Sequence, residues 1–197
     1  MLFLPDTVYH IYNHANGRDN LFAESENYRY FLELYGKHIG PIAETYAFCL
    51  MPNHFHFLLR TRGFEDLPGL KNLEGLGADG AKIKERFFSQ QFSNFFNAYS
   101  KAFNKKYNRR GSLFQKNVRR KPITTESYFL RLFAYIHQNP VKHGFTPHID
   151  EWPASSYRMY FNQNPFPWLK TETMEDQLKS AKKFRILHQP NPLRKAI

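Results

Sequence analysis

Thr45-Tyr46-Ala47-Phe48-Cys49-Leu50-Met51-Pro52-Asn53-His54-Phe55-His56-Phe57-Leu58-Leu59-Arg60 holds two apolar runs either side of Met51-Pro52-Asn53. Short β-prone runs joined by a tight turn read as a β-hairpin, with strands over residues 45–50 and 54–60. Along a strand, side chains at i and i+2 leave by the same face. His54 and His56 therefore stand side by side, with Phe55 turned the other way. Two neutral imidazoles on one rigid face are half of a divalent-metal site. Two half-buried polar residues on a strand are the alternative reading.

A second motif, Tyr135-Ile136-His137-Gln138-Asn139-Pro140-Val141, follows about eighty residues later. It closes a segment whose Phe129, Leu132, Phe133 and Ile136 recur at helical spacing. Thr124 or Thr125 can cap this helix, and Glu126 suits its first turn. Pro140 disfavours helical geometry at Asn139, so the helix is expected to end there. At ~100° per residue, Tyr135 and Asn139 share a face at the flank of the apolar stripe. The helix thus offers a hydroxyl nucleophile and a carboxamide oxygen able to serve a hard cation. A surface tyrosine followed by a helix-ending asparagine is the alternative. His137 points well away from Tyr135 and reads as structural. Tyr128 lies nearly on the face of Tyr135, but the residue four further on is Leu132, which binds no metal.

Around these motifs the chain reads as β-α-β-β-α-β-α. A first strand spans residues 8–14. Ser25 can cap a helix carrying Tyr28, Phe31, Leu32 and Tyr35, which Gly40-Pro41 breaks. Residues 63–80 hold five of the ten glycines and read as a mobile loop. A long helix over residues 84–106 has Phe88, Phe92, Phe95, Phe96, Tyr99 and Phe103 on its apolar face. Residues 111–123 are expected as a fourth strand with a bend. The order suits an α+β fold: a ferredoxin-like antiparallel sheet with helices packed on one face. Residues 1–161 form the main domain. Residues 162–197 read as a basic C-terminal extension with helical signal near 174–187, able to add affinity for a polyanion or cover the site.

The chain has 197 residues and is 42% hydrophobic, enough for one buried core and too apolar for disorder. Lys and Arg number 28 against 17 acidic residues, giving net charge +11 and pI near 9.7. Such a balance favours a polyanionic partner and does not distinguish DNA from RNA or from an anionic membrane. Lys101, Lys105, Lys106, Arg109 and Arg110 cluster late in the long helix and just beyond it, interleaved with Phe103 and Tyr107. Lys116, Arg119, Arg120 and Lys121 follow. Cations with aromatics among them suit unstacked bases and phosphates, so these nine are the candidate DNA-binding residues. The single Cys49 excludes a disulfide scaffold and reads as a small buried hydrophobe. Leu2-Phe3-Leu4 is too short for a signal segment and no run reaches a membrane span, so a soluble cytoplasmic, nucleoid-associated protein is expected.

Five ordered segments carry a family resemblance: Tyr9-His10-Ile11-Tyr12-Asn13, Met51-Pro52-Asn53-His54-Phe55-His56, Gly111-Ser112-Leu113-Phe114-Gln115, Tyr135-Ile136-His137-Gln138-Asn139-Pro140-Val141 and Trp152-Pro153-Ala154-Ser155-Ser156-Tyr157. Over about residues 7–160 the chain resembles the single-tyrosine transposases of the HUH superfamily, the IS200-like group, and among them the REP-associated tyrosine transposases. The resemblance implies the HUH endonuclease fold, with the last helix laid across the sheet so that Tyr135 approaches His54 and His56. It implies His54, His56 and Asn139 as ligands of Mg²⁺ or Mn²⁺ and Tyr135 as nucleophile. It implies strand transfer on single-stranded DNA with hairpins through a 5′-phosphotyrosine, by a monomer or homodimer. His14 stands where relatives often have arginine, which puts a phosphate contact there in question. Two other functions stay open: a domesticated hairpin-binding protein without transposition, and a metal-dependent DNA nuclease acting through water.

Overall fold

The computed structural model describes residues 3–67, 70, 77–162, 166–178 and 181–189. In chain order it has β1 (Val8–His14), α1 (Ser25–His38), β2 (Ala43–Met51), β3 (His54–Thr61), α2 (Gly77–Lys106), β4 (Arg119–Pro122), α3 (Glu126–Lys142), α4 (Thr171–Leu178) and α5 (Ala181–Leu187). Short 3-10 turns lie at Phe64–Asp66 and Tyr157–Tyr160. The four strands pair antiparallel in the order β2-β3-β1-β4. With the β-α-β-β-α-β succession this is the expected ferredoxin-like α+β sheet, and the histidine strand β3 is internal.

Helices cover both faces, not the one expected. Phe31, Tyr35, Phe95 and Tyr99 of α1 and α2 pack on one face, against Tyr9, Ile11, Phe55 and Phe57. Leu132, Phe133 and Ile136 of α3 pack on the other, against Ala47, Cys49, Met51 and Leu58. The reason lies in β2 and β3, where six successive residues, His54–Leu59, are buried. Strands buried on both sides need a layer on each. Fully burying one such Leu or Phe contributes ~2–3 kcal/mol, so an uncovered face would be costly.

Local details also differ from expectation. The N-cap of α1 is Glu24, one residue before Ser25, because Asn27 Oδ1 accepts from the backbone N–H of Ala23 and Glu24 at 2.8 and 3.1 Å. The long helix begins at Gly77, seven residues before the expected 84. Glycine masks this start, since it removes the apolar stripe by which a helix is recognised. Of the expected mobile loop over 63–80, residues 68–69 and 71–76 lie outside the described residues. The fourth strand is only four residues long. Gly111 and Asn117 adopt positive φ of 86° and 67°, which interrupts extended backbone before Arg119. Thr125 does cap α3, accepting from Tyr128 N–H at 3.3 Å.

Residues beyond 161 pack on the core in their described parts. Trp168 packs against Tyr35 at a tilt of 58°, with 4.7 Å between ring centroids. Gly36 leaves room for this ring, since a Cβ there would lie 2.7 Å from the indole nitrogen. α5 docks on α3 through His137, a fully buried side chain. One ring nitrogen of His137 shares a hydrogen bond with His188 Nε2 at 2.8 Å and the other with Ser156 Oγ at 2.7 Å. Ser156 Oγ in turn accepts from Phe48 N–H at 2.9 Å, so the chain β2–Ser156–His137–α5 is continuous. Because Tyr135 and His137 diverge by ~200° around the helix, α5 sits away from the tyrosine. His137→Ala is expected to lower unfolding free energy by ~2–4 kcal/mol in urea titrations, since it leaves a cavity and removes the hydrogen bonds to Ser156 and His188.

Candidate active site

The α3-facing side of the sheet gathers the motif residues. Strand register sets His14 opposite His54 and Tyr12 opposite His56. Lys121 lies opposite His10 and Arg119 opposite Tyr12. Side-chain alternation then puts His10, Tyr12, His14, His54, His56, Arg119 and Lys121 on one face. His54 and His56 are 4% and 6% exposed, with rings 5.2 Å apart. His54 Nδ1 bonds Asn53 Oδ1 at 2.8 Å and so carries its proton there, leaving Nε2 with a lone pair. His56 Nδ1 shares a hydrogen bond with His10 Nε2 at 2.9 Å. A partner on the second nitrogen is how metal-binding imidazoles are oriented.

Burial is the main cause of the histidines' low proton affinity. It takes His10 from the ordinary 6.5 down to about 3, with Lys121 adding to the effect. It takes His54 down to about 4, helped by His14 and His143. His56 and His137 are held well below 6.5, again chiefly by burial. These groups are neutral at pH 7, as ligands must be. When the chain unfolds they regain ordinary affinity. Between pH 6.5 and about 4 the unfolded state then binds more protons, so stability falls as pH falls through that window. The expected urea midpoint is flat from about pH 8 to 7. Below 6.5 unfolding free energy declines by about 1.4 kcal/mol per pH unit for each such histidine. A midpoint unchanged down to about pH 4.5 would contradict this.

Tyr135 is half-buried, with its ring centroid 5.9 Å from that of His56. Lys142 Nζ lies 4.3 Å above the same ring. Burial raises the Tyr135 hydroxyl above its ordinary value, with Tyr12 and Tyr128 adding to the rise, so the phenol is protonated at neutral pH. One turn on, α3 does not end at Asn139 as expected but continues through Pro140 to Lys142. Pro140 has no N–H to give the carbonyl of Ile136. Asn139 Nδ2 fills that role, donating to Tyr135 O at 2.9 Å and Ile136 O at 3.4 Å. With its nitrogen so held, the carboxamide presents Oδ1 the other way. Asn139 Oδ1 is buried and has no hydrogen-bond partner. An orphaned carboxamide oxygen, one turn on from a tyrosine whose ring lies against His56, has the chemistry of a ligand for a divalent cation. Among the described residues no three His, Cys, Asp or Glu side chains are arranged to hold a metal.

Four contributors were given no site role by sequence, where His10 and His14 read only as a same-face pair too far apart to be the primary ligands: His10 behind His56, Tyr12 against His56 (centroids 5.7 Å), His14 stacked on His54 (4.8 Å) and His143 beside it (5.2 Å). The spacing of His10, Tyr12 and His14 on one strand face was the available signal, and the β1–β3 register supplies its meaning.

The nine basic candidates do not form one patch. Arg119 and Lys121 belong to the tyrosine face, Lys121 lying 4.8 Å over the Tyr128 ring. Arg120 points to the opposite face, over the Phe3 ring at 4.8 Å. Lys101, Lys105, Arg110 and Lys116 are exposed. Lys106 pairs with Glu24 and Glu26, and Arg109 with Asp19, so these two are engaged within the chain.

No family model matches the chain. A Haemophilus influenzae protein named as a REP-associated tyrosine transposase is 28% identical over 126 residues, 63% of this chain. The chain matches 64% of that relative's length. A solved REP-associated tyrosine transposase bound to a REP hairpin has the same fold, with a TM-score of 0.55 at 19% identity, covering 85% of this chain and 87% of that one. Over part of its length, then, the chain is similar in sequence to one protein named as a REP-associated tyrosine transposase, and it shares its fold with another.

Proposed function

We propose that the chain is a transposase-type DNA strand transferase that cuts and rejoins single-stranded, hairpin-bearing DNA through Tyr135. The observation that carries this reading is the Tyr135 ring 5.9 Å from that of His56, with His54 beside His56 and the unpartnered Asn139 Oδ1 one helical turn on from the tyrosine. His54, His56 and Asn139 would hold Mg²⁺ or Mn²⁺, which when bound polarises a phosphate and offsets developing negative charge. Tyr135 Oη attacks phosphorus and the bond from phosphorus to O3′ breaks. The tyrosine proton is lost and the departing oxygen gains one, leaving a free 3′-OH and a 5′-phosphotyrosine. The ester keeps the energy of the phosphodiester, so a second 3′-OH can reverse the step and join a different end. His10 and Asn53 orient the imidazoles, and Arg119 and Lys121 attract the strand to this face. The related structure's hairpin supports hairpin DNA as substrate here too, bound by a monomer or homodimer. Among the described residues no helix is long and apolar enough to cross a membrane.

The test is covalent capture. Full-length protein, Mn²⁺ or Mg²⁺ and labelled single-stranded DNA bearing hairpins from its own genomic flanks are resolved on a denaturing gel. A protease-sensitive shifted band that chelator abolishes is expected. Cleavage without any covalent band would point instead to a nuclease using water, and hairpin binding with neither to a binding protein.

A further inference from the structure

The turn of α3 that carries Tyr135 and Asn139 is incompletely held by its own backbone. Pro140 gives no N–H to the Ile136 carbonyl, and the amide that bonds there belongs to the Asn139 side chain. Proline is where helices kink, so the rotation of this turn calls for a hold from outside. His137 and Gln138, within the same turn, make such contacts with α5. Gln138 Nε2 donates to the backbone carbonyl of His188 at 2.7 Å.

The contacts of His137 form a chain whose proton positions follow from its ends. His188 Nδ1 lies 2.7 Å from the carbonyl of Phe184, which only accepts, so this nitrogen carries the proton. With one proton per ring, His188 Nε2 accepts from His137 Nδ1 at 2.8 Å. His137 Nε2 in turn accepts from the Ser156 hydroxyl at 2.7 Å, and Ser156 Oγ accepts from Phe48 N–H at 2.9 Å. Every donor meets an acceptor. The far end of the chain is on the histidine hairpin, because Phe48 precedes Cys49, the cross-strand partner of His56. One end of the brace therefore stands beside His56 and the other on α5, with the tyrosine turn between. Phe133, Tyr157 and Phe184 surround the His188 ring, with centroids at 5.4, 5.1 and 4.3 Å. Packing in that aromatic cluster would be served by an apolar ring. An acceptor aimed at His137 is more than packing requires.

We propose that His188, acting through His137, is a positioning residue for strand transfer: it holds the Tyr135–Asn139 turn at the rotation that sets the tyrosine against His56. α5 then acts on the site from behind α3. The proposal rests on the strand-transfer reading for its catalytic consequence, and on hydrogen-bond geometry for the brace itself.

Three variants of the full chain test it. His188→Phe keeps a ring and removes the acceptor. Gln138→Met removes the second tie at a half-buried position, with less risk to the fold. His188→Gln returns an acceptor near the place of Nε2. Metal-free protein is read first, by hydrogen exchange with mass spectrometry. In the first two variants residues 135–143 are expected to exchange on the order of tenfold faster, and residues 126–133 as in wild type. Mn²⁺ affinity, read well below melting from the electron paramagnetic signal of the free ion, is expected to fall about tenfold, the scale of losing a group that orients ligands. The maximal rate of adduct formation should fall by a similar factor, with the DNA concentration at half-maximal rate unchanged. His188→Gln should recover most of each loss. A lower melting temperature with turn exchange, Mn²⁺ affinity and maximal rate all as in wild type would reduce His188 to packing and overturn the proposal, while the adduct in wild type would keep the strand-transfer reading. If wild type neither binds Mn²⁺ nor forms an adduct, yet turn exchange rises in the variants, the strand-transfer reading falls and the brace stands.

Discussion

Tyr135→Phe is expected to lose the covalent DNA adduct completely and to lower strand cleavage on the order of 10⁴-fold or more, the scale on which removal of a nucleophile acts. Only the hydroxyl is lost. The ring keeps its place beside His56 and beneath Lys142. Melting temperature and hairpin affinity should therefore stay close to wild type, which separates a chemical role from a structural one. The control is Tyr12→Phe. Tyr12 stands on the same face, its ring centroid 5.7 Å from that of His56. It should keep the adduct. An adduct that survives Tyr135→Phe and disappears in Tyr12→Phe would transfer the nucleophile's role to Tyr12.

The second large effect concerns Asn139 and is read from stability before activity. An unpartnered buried oxygen costs ~1–3 kcal/mol, and each Nδ2 hydrogen bond returns ~1 kcal/mol. Asn139→Leu removes both contributions but leaves the Ile136 carbonyl without a donor, so the metal-free variant should unfold ~1–3 kcal/mol more easily than wild type. Metal changes the comparison. At roughly 100 times its dissociation constant, a ligand binding only the folded state adds ~2.7 kcal/mol. For a chain of this size that raises the melting temperature by ~5–10 °C. Wild type should show that rise with Mn²⁺, the leucine variant little of it, and Asn139→Asp should retain it through its carboxylate. Equal shifts in wild type and Asn139→Leu, measured by scanning calorimetry, would remove Asn139 from the ligand set.

The hairpin, the strand of residues 8–14 and the tyrosine helix were legible because each has its own period and its own turn or cap. Lengths and sides were harder. Pro140 reads locally as a stop, but the side chain before it repairs the missing hydrogen bond, and no propensity rule contains that repair. The division of helices between two faces depends on β3 being buried on both pleats. Alternating His and Phe leaves that undecided until the neighbours are known. His10 and His14 were visible as a same-face pair on β1. Their service to His56 and His54 depends on register, which is set by the whole sheet. The basic residues were found as a run in sequence, whereas the pleat of β4 and the ion pairs of Lys106 and Arg109 sort them by place.

The sheet's two borders have a consequence for assembly. On the β2 side, backbone groups are already taken: Thr45 bonds Trp168 and Lys170, Leu50 bonds Ala154 and Phe48 bonds Ser156. On the other side the outer strand is Arg119-Arg120-Lys121-Pro122, three cations and a residue with no N–H to give. A foreign strand would find one border occupied and the other short, repulsive and short of a donor. The chain should therefore resist edge-to-edge association and fibre growth at high concentration despite its 20 phenylalanines and 12 tyrosines. Any pairing of two copies would have to use helices or loops, never a continued sheet.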